Sequence, residues 1–223
     1  MGRYTEPHWS AAALLTIDTQ IDTLTGQPFE IPGTTEVLPA IVRALAAARR
    51  AARPIVHVVR LYLPDGSNVD ACRRERVEAG WHPVAPGSPG SELPPELLPA
   101  PGLRLEPQRL LAGDIQPLGP HEVALYKPRW GAFYHTPLDD HLRGSGVDTL
   151  VFTGCNYPNC PRASIYEASE RDYRIVLLVD AVSGLDRRGR EEMAAIGVLS
   201  CTVEEFVVAI RATMRSSGQR TEV

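Results

Sequence analysis

"DTLVFTGCNYPNCPRASIYEASERDYRIVLLVDA", residues 148–181, reads in turn as a strand, a turn-rich loop, a helix and a second strand. "DTLVFTG" is a short apolar run stopped by glycine, the pattern of a buried strand. "CPRASIYEASERDY" starts with Pro161, a residue favoured in the first helical turn because its missing N–H needs no partner there. "RIVLLVDA" is apolar without alternation, as expected of a strand covered on both faces. Two such strands joined by a helix lie parallel, since the crossover carries the chain back to the starting edge.

The rest of the chain repeats this alternation. "AALLTID" reads as a strand ending in Asp18. "GTTEVLPAIVRALAAARRAA" spaces Val37, Ile41 and Leu45 four apart behind a threonine cap, an amphipathic helix with Pro39 in its early turns. "PIVHVVRLY" and "HEVALYK" supply two more strands, "TPLDDHLRGSG" a short helix closed by glycine, and residues 188–199 and "TVEEFVVAIRATMR" the closing helices. The charge run "RRGREE" reads as a solvated helix start. The expectation is a three-layer α/β/α sandwich around a mostly parallel sheet, one domain over residues 1–223. Residues 63–120 interrupt the pattern with eleven of the 20 prolines, and read as an excursion over the face of that domain.

Composition narrows the function classes. A net charge of −4 and a pI near 5.9 offer no basic footprint for nucleic acid or a lipid surface. No run is long enough to cross a bilayer, and Asp18 interrupts the apolar N-terminal stretch before it reads as a secretion signal. Cys72, Cys155, Cys160 and Cys201 form no CxxC pair, so reduced thiols in a cytoplasmic protein are expected.

In parallel α/β sheets ligands bind beyond the carboxyl ends of the strands. There the sequence places Asp18, Lys127 and the loop from Cys155 to Cys160. A carboxylate, an ammonium and a thiol on one edge make chemical sense. An ammonium and a helix N-terminus both favour the thiolate, and a carboxylate takes the thiol proton and returns it to a leaving amine. Taken alone, each cysteine reads as a small buried hydrophobe. Position separates them: Cys160 precedes Pro161 at a helix start, whereas Cys155 ends a strand.

Asp18 in "LLTIDTQ", Lys127 in "YKPRWGAFYHTPLDDHL" and Cys160 in "TLVFTGCNYPNCPRASIYEA" together resemble the three motifs of the isochorismatase-like cysteine hydrolases, in order and in spacing. The resemblance extends over the chain outside the proline-rich excursion. It implies that Cys160 is the nucleophile, Asp18 the general base and acid, and Lys127 the electrostatic partner. It also implies a cis peptide between Cys155 and Asn156, which would turn the Asn156 N–H toward the substrate to join the Cys160 N–H in an oxyanion hole. The product expected is a homo-oligomeric (dimer or tetramer), cofactor-free amidohydrolase that opens a small-molecule amide or lactam through a thioester.

Departures refine that expectation. Nicotinamidases of the superfamily carry a D-x-H pair beside the substrate, which "VVRLYLPDGSN" lacks, so no metal is expected. True isochorismatases cleave a vinyl ether without needing the thiol, so a complete triad favours C–N hydrolysis. "GCNYPNCPR" is similar to the branch containing streptothricin hydrolase, which opens a lactam. The alternatives are a ureidoacrylate or N-carbamoyl amidohydrolase, and a non-catalytic binding protein on the same scaffold. Arg60 at a strand end is a candidate for binding a substrate carboxylate or carbonyl. Trp130, Phe133 and Tyr157 are candidate pocket walls, and Trp81 a candidate cap from the excursion.

Overall fold

The computed structural model describes residues 2–218. Of the domain read over 1–223, Met1 and residues 219–223 lie outside the described residues. The chain runs β1 (Ala12–Ile17), α1 (Thr34–Arg50), β2 (Ile55–Val59), α2 (Ala71–Glu78), α3 (Pro107–Leu111), β3 (Gln116–Gly119), β4 (Glu122–Tyr126) and α4 (Leu138–Gly144). It continues through β5 (Thr149–Gly154), α5 (Cys160–Ser169), β6 (Arg174–Val182), α6 (Arg187–Ala195), β7 (Leu199–Cys201) and α7 (Val203–Gly218).

The strands form one sheet in the order β3-β4-β2-β1-β5-β6-β7, parallel except for β3. Burial explains the composition of its central strands: every residue of β1, β2 and β5 is buried, so alternation would have exposed polar groups to a helix layer. On one face α1 and α7 cover Leu14, Val151, Val176 and Leu178 with Ile41, Leu45, Phe206 and Ile210. On the other, α4, α5 and α6 cover Leu15, Ile17, Phe152 and Leu177 with Leu138, Leu142, Ile165 and Met193. Both faces are thus covered, and the architecture is the three-layer α/β/α sandwich. Among the described residues no helix is long and apolar enough to cross a membrane.

The sheet holds two strands that periodicity did not reveal. β7 is only three residues long. β3, "QPLG", lies inside the proline-rich segment and pairs antiparallel with β4 at the sheet edge, where Pro117 is tolerated because an edge strand can do without one donor. The segment is therefore partly sheet at its end. It also buries small cores of its own, one from Leu93, Leu105, Leu110 and Leu118 on Leu61 and Ala124, and another from Val69, Val77 and Val84 around Tyr62.

A buried polar ladder ties three strands together. Thr16 Oγ1 meets His57 Nδ1 at 2.8 Å, His57 Nε2 meets Glu122 Oε1 at 2.8 Å, and Glu122 accepts from Arg49 of α1 at 2.6 and 2.8 Å. It lies below the strand tips, where chain order reverses: β2 and β4 lie on one side of β1, β5 and β6 on the other. That reversal opens the crevice between the loops after β1 and β5.

Candidate active site

Asp18 follows β1 directly. Its N–H donates to Val58 O at 2.9 Å, and its backbone turns into the left-handed region (φ 50°). Aspartate tolerates this conformation better than most residues, and single strained residues of this kind gather at functional sites. Lys127 follows β4, its N–H donating to Val59 O at 3.0 Å. Between these loops Lys127 Nζ lies 2.9 Å from Asp18 Oδ2 and donates to Arg129 O at 3.2 Å. The lysine side chain is fully buried. The second carboxylate oxygen, Asp18 Oδ1, is buried with no hydrogen-bond partner. One oxygen is thus neutralised and the other is left as an acceptor.

Cys160 is the first residue of α5, buried, with its carbonyl accepting from Ser164 Oγ at 2.7 Å. Among the described residues, no hydrogen bond uses the backbone N–H of Cys160 or of Asn156. Burial, and then the negative charge of Asp18, push the Cys160 thiol up to about 12 against the pull of Lys127 and Arg60. In this closed arrangement the thiol rests protonated. The ammonium and the helix N-terminus do not by themselves produce a thiolate; a proton acceptor is required, and Asp18 stands beside it.

Cys155 is fully buried, and its Sγ donates to Asp18 O at 3.0 Å. Burial raises its thiol to about 12 as well. It braces the backbone of Asp18 from below. The Cys155–Asn156 peptide expected to be cis is trans, as no cis bond occurs among the described residues. The trans form is favoured by about 2.5–4 kcal/mol outside proline. The loop turns instead at Gly154 (φ 111°) and at Asn159 (φ −115°, ψ −104°).

A small enclosed cavity joins these groups, lined by Asp18, Cys155, Asn156 and Cys160, by Gln20, Thr23, Arg60 and Arg73, and by Phe29, Ile31 and Val84. It leaves about 10 Å³ for the centre of a water-sized sphere, the room of roughly one water.

Of the side chains read as binding candidates, only Arg60 lines the cavity. It is 3% exposed and committed to the protein: Nη1 donates to Lys127 O and Arg129 O, and Nη2 reaches Tyr62 and an ion pair with Asp70. Only its Nε lacks a partner. Tyr157 is core, with its hydroxyl donating to Gly189 O at 3.0 Å, and Phe133 packs on Tyr173. Trp81 stands edge-on to Phe29 with centroids 5.0 Å apart, and so supports the cavity wall from outside. Trp130 carries Arg73 on its ring face at 4.6 Å.

The residues that the sequence did not single out are Gln20, Phe29, Ile31, Arg73 and Val84. Gln20 clamps two loops: its Nε2 donates to Arg60 O at 2.9 Å and Ser91 O at 2.6 Å, and its Oε1 accepts from Arg60 N–H at 2.8 Å. Its position two residues after Asp18 is the one signal that pointed there. The described residues contain no cluster of three His, Cys, Asp or Glu side chains arranged to hold a metal ion.

The family model of the isochorismatase domain matches residues 12–210. A ureidoacrylate amidohydrolase of Methylorubrum extorquens is 35% identical over 164 residues, 69% of this chain and 59% of that protein. The match thus spans under two thirds of that relative's length. A probable inactive nicotinamidase of Arabidopsis thaliana is 28% identical over 205 residues, covering 89% of this chain and 95% of its own. Among solved structures, an isochorismatase family protein of Desulfovibrio vulgaris superposes with a TM-score of 0.75 at 32% identity, covering 89% of this chain and 98% of the other.

Proposed function

The chain belongs to the isochorismatase family, and on that premise we propose that it is a cysteine-dependent amidohydrolase acting on a small ureide or amide. The observation that carries this reading is the Asp18–Lys127 pair, with one free carboxylate oxygen, set beside the Cys160 thiol in one closed cavity.

The steps follow from the groups present. When a carbonyl carbon reaches Cys160, Sγ attacks it and the thiol proton passes to Asp18. The carbonyl oxygen becomes an oxyanion, and the Cys160 N–H at the N-terminus of α5 is its donor; the trans Cys155–Asn156 peptide removes the reason for adding Asn156. Asp18 returns the proton to the departing nitrogen, the C–N bond breaks, and a thioester remains on Cys160. Water, deprotonated by Asp18, then attacks the thioester, and the thiol takes back its proton. Lys127 holds the Asp18 carboxylate in place through Oδ2 between these transfers. No cofactor enters this sequence.

A ureide is preferred over a lactam because a relative named for its activity, the ureidoacrylate amidohydrolase of Methylorubrum extorquens, is 35% identical over 164 residues. A streptothricin-type lactam has the likeness of the cysteine loop alone behind it. The similarity to a protein named as a probable inactive nicotinamidase supports a second reading, a binding protein that keeps the triad without using it. A panel of ureides, linear amides and lactams separates the three. Ureide hydrolysis ends in ammonia and carbon dioxide, lactam opening releases neither, and a binding protein turns over none. The Cys160→Ala protein is the control.

A further inference from the structure

Arg73 lies on α2, inside the proline-rich excursion, and contributes to the wall of the cavity that holds Asp18 and Cys160. Its guanidinium sits 4.6 Å from the centroid of Trp130 and 5.1 Å from that of Phe29, so two rings hold it in place. Nη1 donates to Tyr62 Oη at 2.7 Å and lies 3.8 Å from Asp70 Oδ2. No hydrogen bond of the described residues uses Nε or Nη2. Arg60, by contrast, spends all but Nε on protein acceptors.

The charge balance has the same sense. The cavity wall carries two guanidinium groups, Arg60 and Arg73, against the single carboxylate of Asp18. Behind the wall Lys127 pairs with Asp18 at 2.9 Å, and the Asp70 carboxylate is shared between Arg60, Arg73 and Tyr62. A fork of free N–H donors fixed between aromatic rings is the geometry that recognises a carboxylate through two parallel hydrogen bonds.

We propose that Arg73 is the specificity-determining residue of this site, and that the substrate is a ureide or amide bearing a carboxylate, which Nε and Nη2 of Arg73 bind while the carbonyl faces Cys160. This rests on the hydrolase reading above for the reaction, and on Arg73 and its partners alone for the anion. Arg60 is then a positioning residue: it holds Asp70, which in turn holds Arg73.

Two probes of one shape but different charge test the anion subsite without knowledge of the substrate. Iodoacetate carries a carboxylate where iodoacetamide carries a neutral amide. With each, a bond forms between sulfur and carbon, iodide departs, and the thiol proton leaves to Asp18 or solvent. Peptide mapping by mass spectrometry reports the rate at Cys160 separately from exposed Cys72, and glutathione supplies the intrinsic ratio of the two reagents.

The iodoacetate-to-iodoacetamide rate ratio at Cys160 is expected to exceed that of glutathione by about tenfold or more, the effect of one charge-assisted contact. Arg73→Met, which keeps apolar contact with Trp130 and Phe29, is expected to return the ratio to that of glutathione, and Arg73→Lys to retain part of it. A ratio equal to that of glutathione in the parent protein, or one unchanged by Arg73→Met in a protein that melts cooperatively, overturns the proposal. The second arm compares hydrolysis of N-carbamoylglycine with that of its carboxamide: the preference for the acid is expected to fall about 100-fold in Arg73→Met, mainly through KM. Charge-selective alkylation without hydrolysis of any ureide or amide leaves the anion subsite standing and removes the hydrolase reading. Hydrolysis with no dependence of the preference on Arg73 does the reverse.

Discussion

Lys127 Nζ reaches Asp18 Oδ2 at 2.9 Å although β2 lies between the two strands that deliver them. The two loops bend over the tip of β2, and the pair closes the sheet edge with both charges out of water. A buried pair of this kind contributes little over well-packed apolar residues, but losing one partner strands the other. Lys127→Met is expected to destabilise the protein by about 3–5 kcal/mol and to abolish turnover. Adding Asp18→Asn to it is expected to recover a substantial part of the stability and none of the activity. Urea unfolding of the two single variants and the double variant measures the coupling. Additive losses would show that the pair does not act as a unit.

Burial first, and then the charge of Asp18, hold the Cys160 thiol above its ordinary 9.0, up to about 12. Below that value the free thiol stays protonated, so its alkylation by iodoacetamide is expected to keep climbing with pH beyond 9.0 rather than level off. Asp18→Asn removes the charge that opposes ionisation. Its Cys160 is expected to react faster with iodoacetamide at pH 8 while hydrolysis is lost. From sequence alone the opposite sign was the natural expectation, with Asp18 activating the thiol and its loss protecting it. The negative charge of Asp18, which opposes ionisation of the buried thiol, gives the sign expected here.

Gly154 ends β5 at φ 111°, and a Cβ there would fall on the backbone oxygen and nitrogen of Ile17. Gly154→Ala therefore strains its own backbone and forces apart the two strands that carry Asp18 and Cys160. The expected cost is about 2 kcal/mol or more. A further fall in kcat of about 100-fold is expected from misplacing nucleophile and base by roughly 1 Å. Thermal melts with parallel kinetics check both.

Glu122 is held below its ordinary 4.5: burial by itself would raise it, but the hydrogen bonds from Arg49 and His57 outweigh burial. Asp70 is held below its ordinary 3.8, with Arg60 and Tyr62 overcoming burial in the same way. Both carboxyls titrate lower in the folded than in the unfolded chain. Their contribution is therefore complete above the ordinary values and is lost as pH falls below 4.5 toward the folded values. Stability in urea is expected to drop across that range. Glu122→Gln is expected to cost about 2 kcal/mol at pH 7 and to flatten the acid limb; an unchanged limb would assign it to other groups.

The central strands and their parallel sense were legible because strands buried on both faces announce themselves as unbroken apolar runs; the helices outside the proline-rich excursion were legible too, but α2 and α3 within it were not. β3 and β7 were not, since four residues containing a proline and three residues alone carry no period. The positions of Asp18 and Lys127 at strand ends, and of Cys160 at the helix start that follows a third strand, followed from the rule that ligands collect at that end of the sheet. The cavity wall did not, because Phe29, Ile31 and Val84 arrive from loops and Arg73 from the short helix α2, and the return of these segments to the site is set by long-range packing. Arg60 and Arg73 illustrate the difference. The strand-end arginine stood out in the sequence, yet its donors are spent on the protein. The one with free donors sits in "ACRRERVE", a short helix whose charged residues look alike until Trp130 and Phe29 single out one of them. The cis bond expected at Cys155–Asn156 came from resemblance, and local residues gave no independent reason for it.

The central claim is that Cys160 carries the acyl group. Acid quench of the protein turning over a carboxylate-bearing ureide, followed by peptide mapping, tests it most directly. The account predicts an added mass of the acyl fragment on the peptide containing Cys160, absent from Cys155 and Cys201, and no turnover in Cys160→Ala. Hydrolysis that persists in Cys160→Ala, or an acyl group found on any other residue, would contradict it.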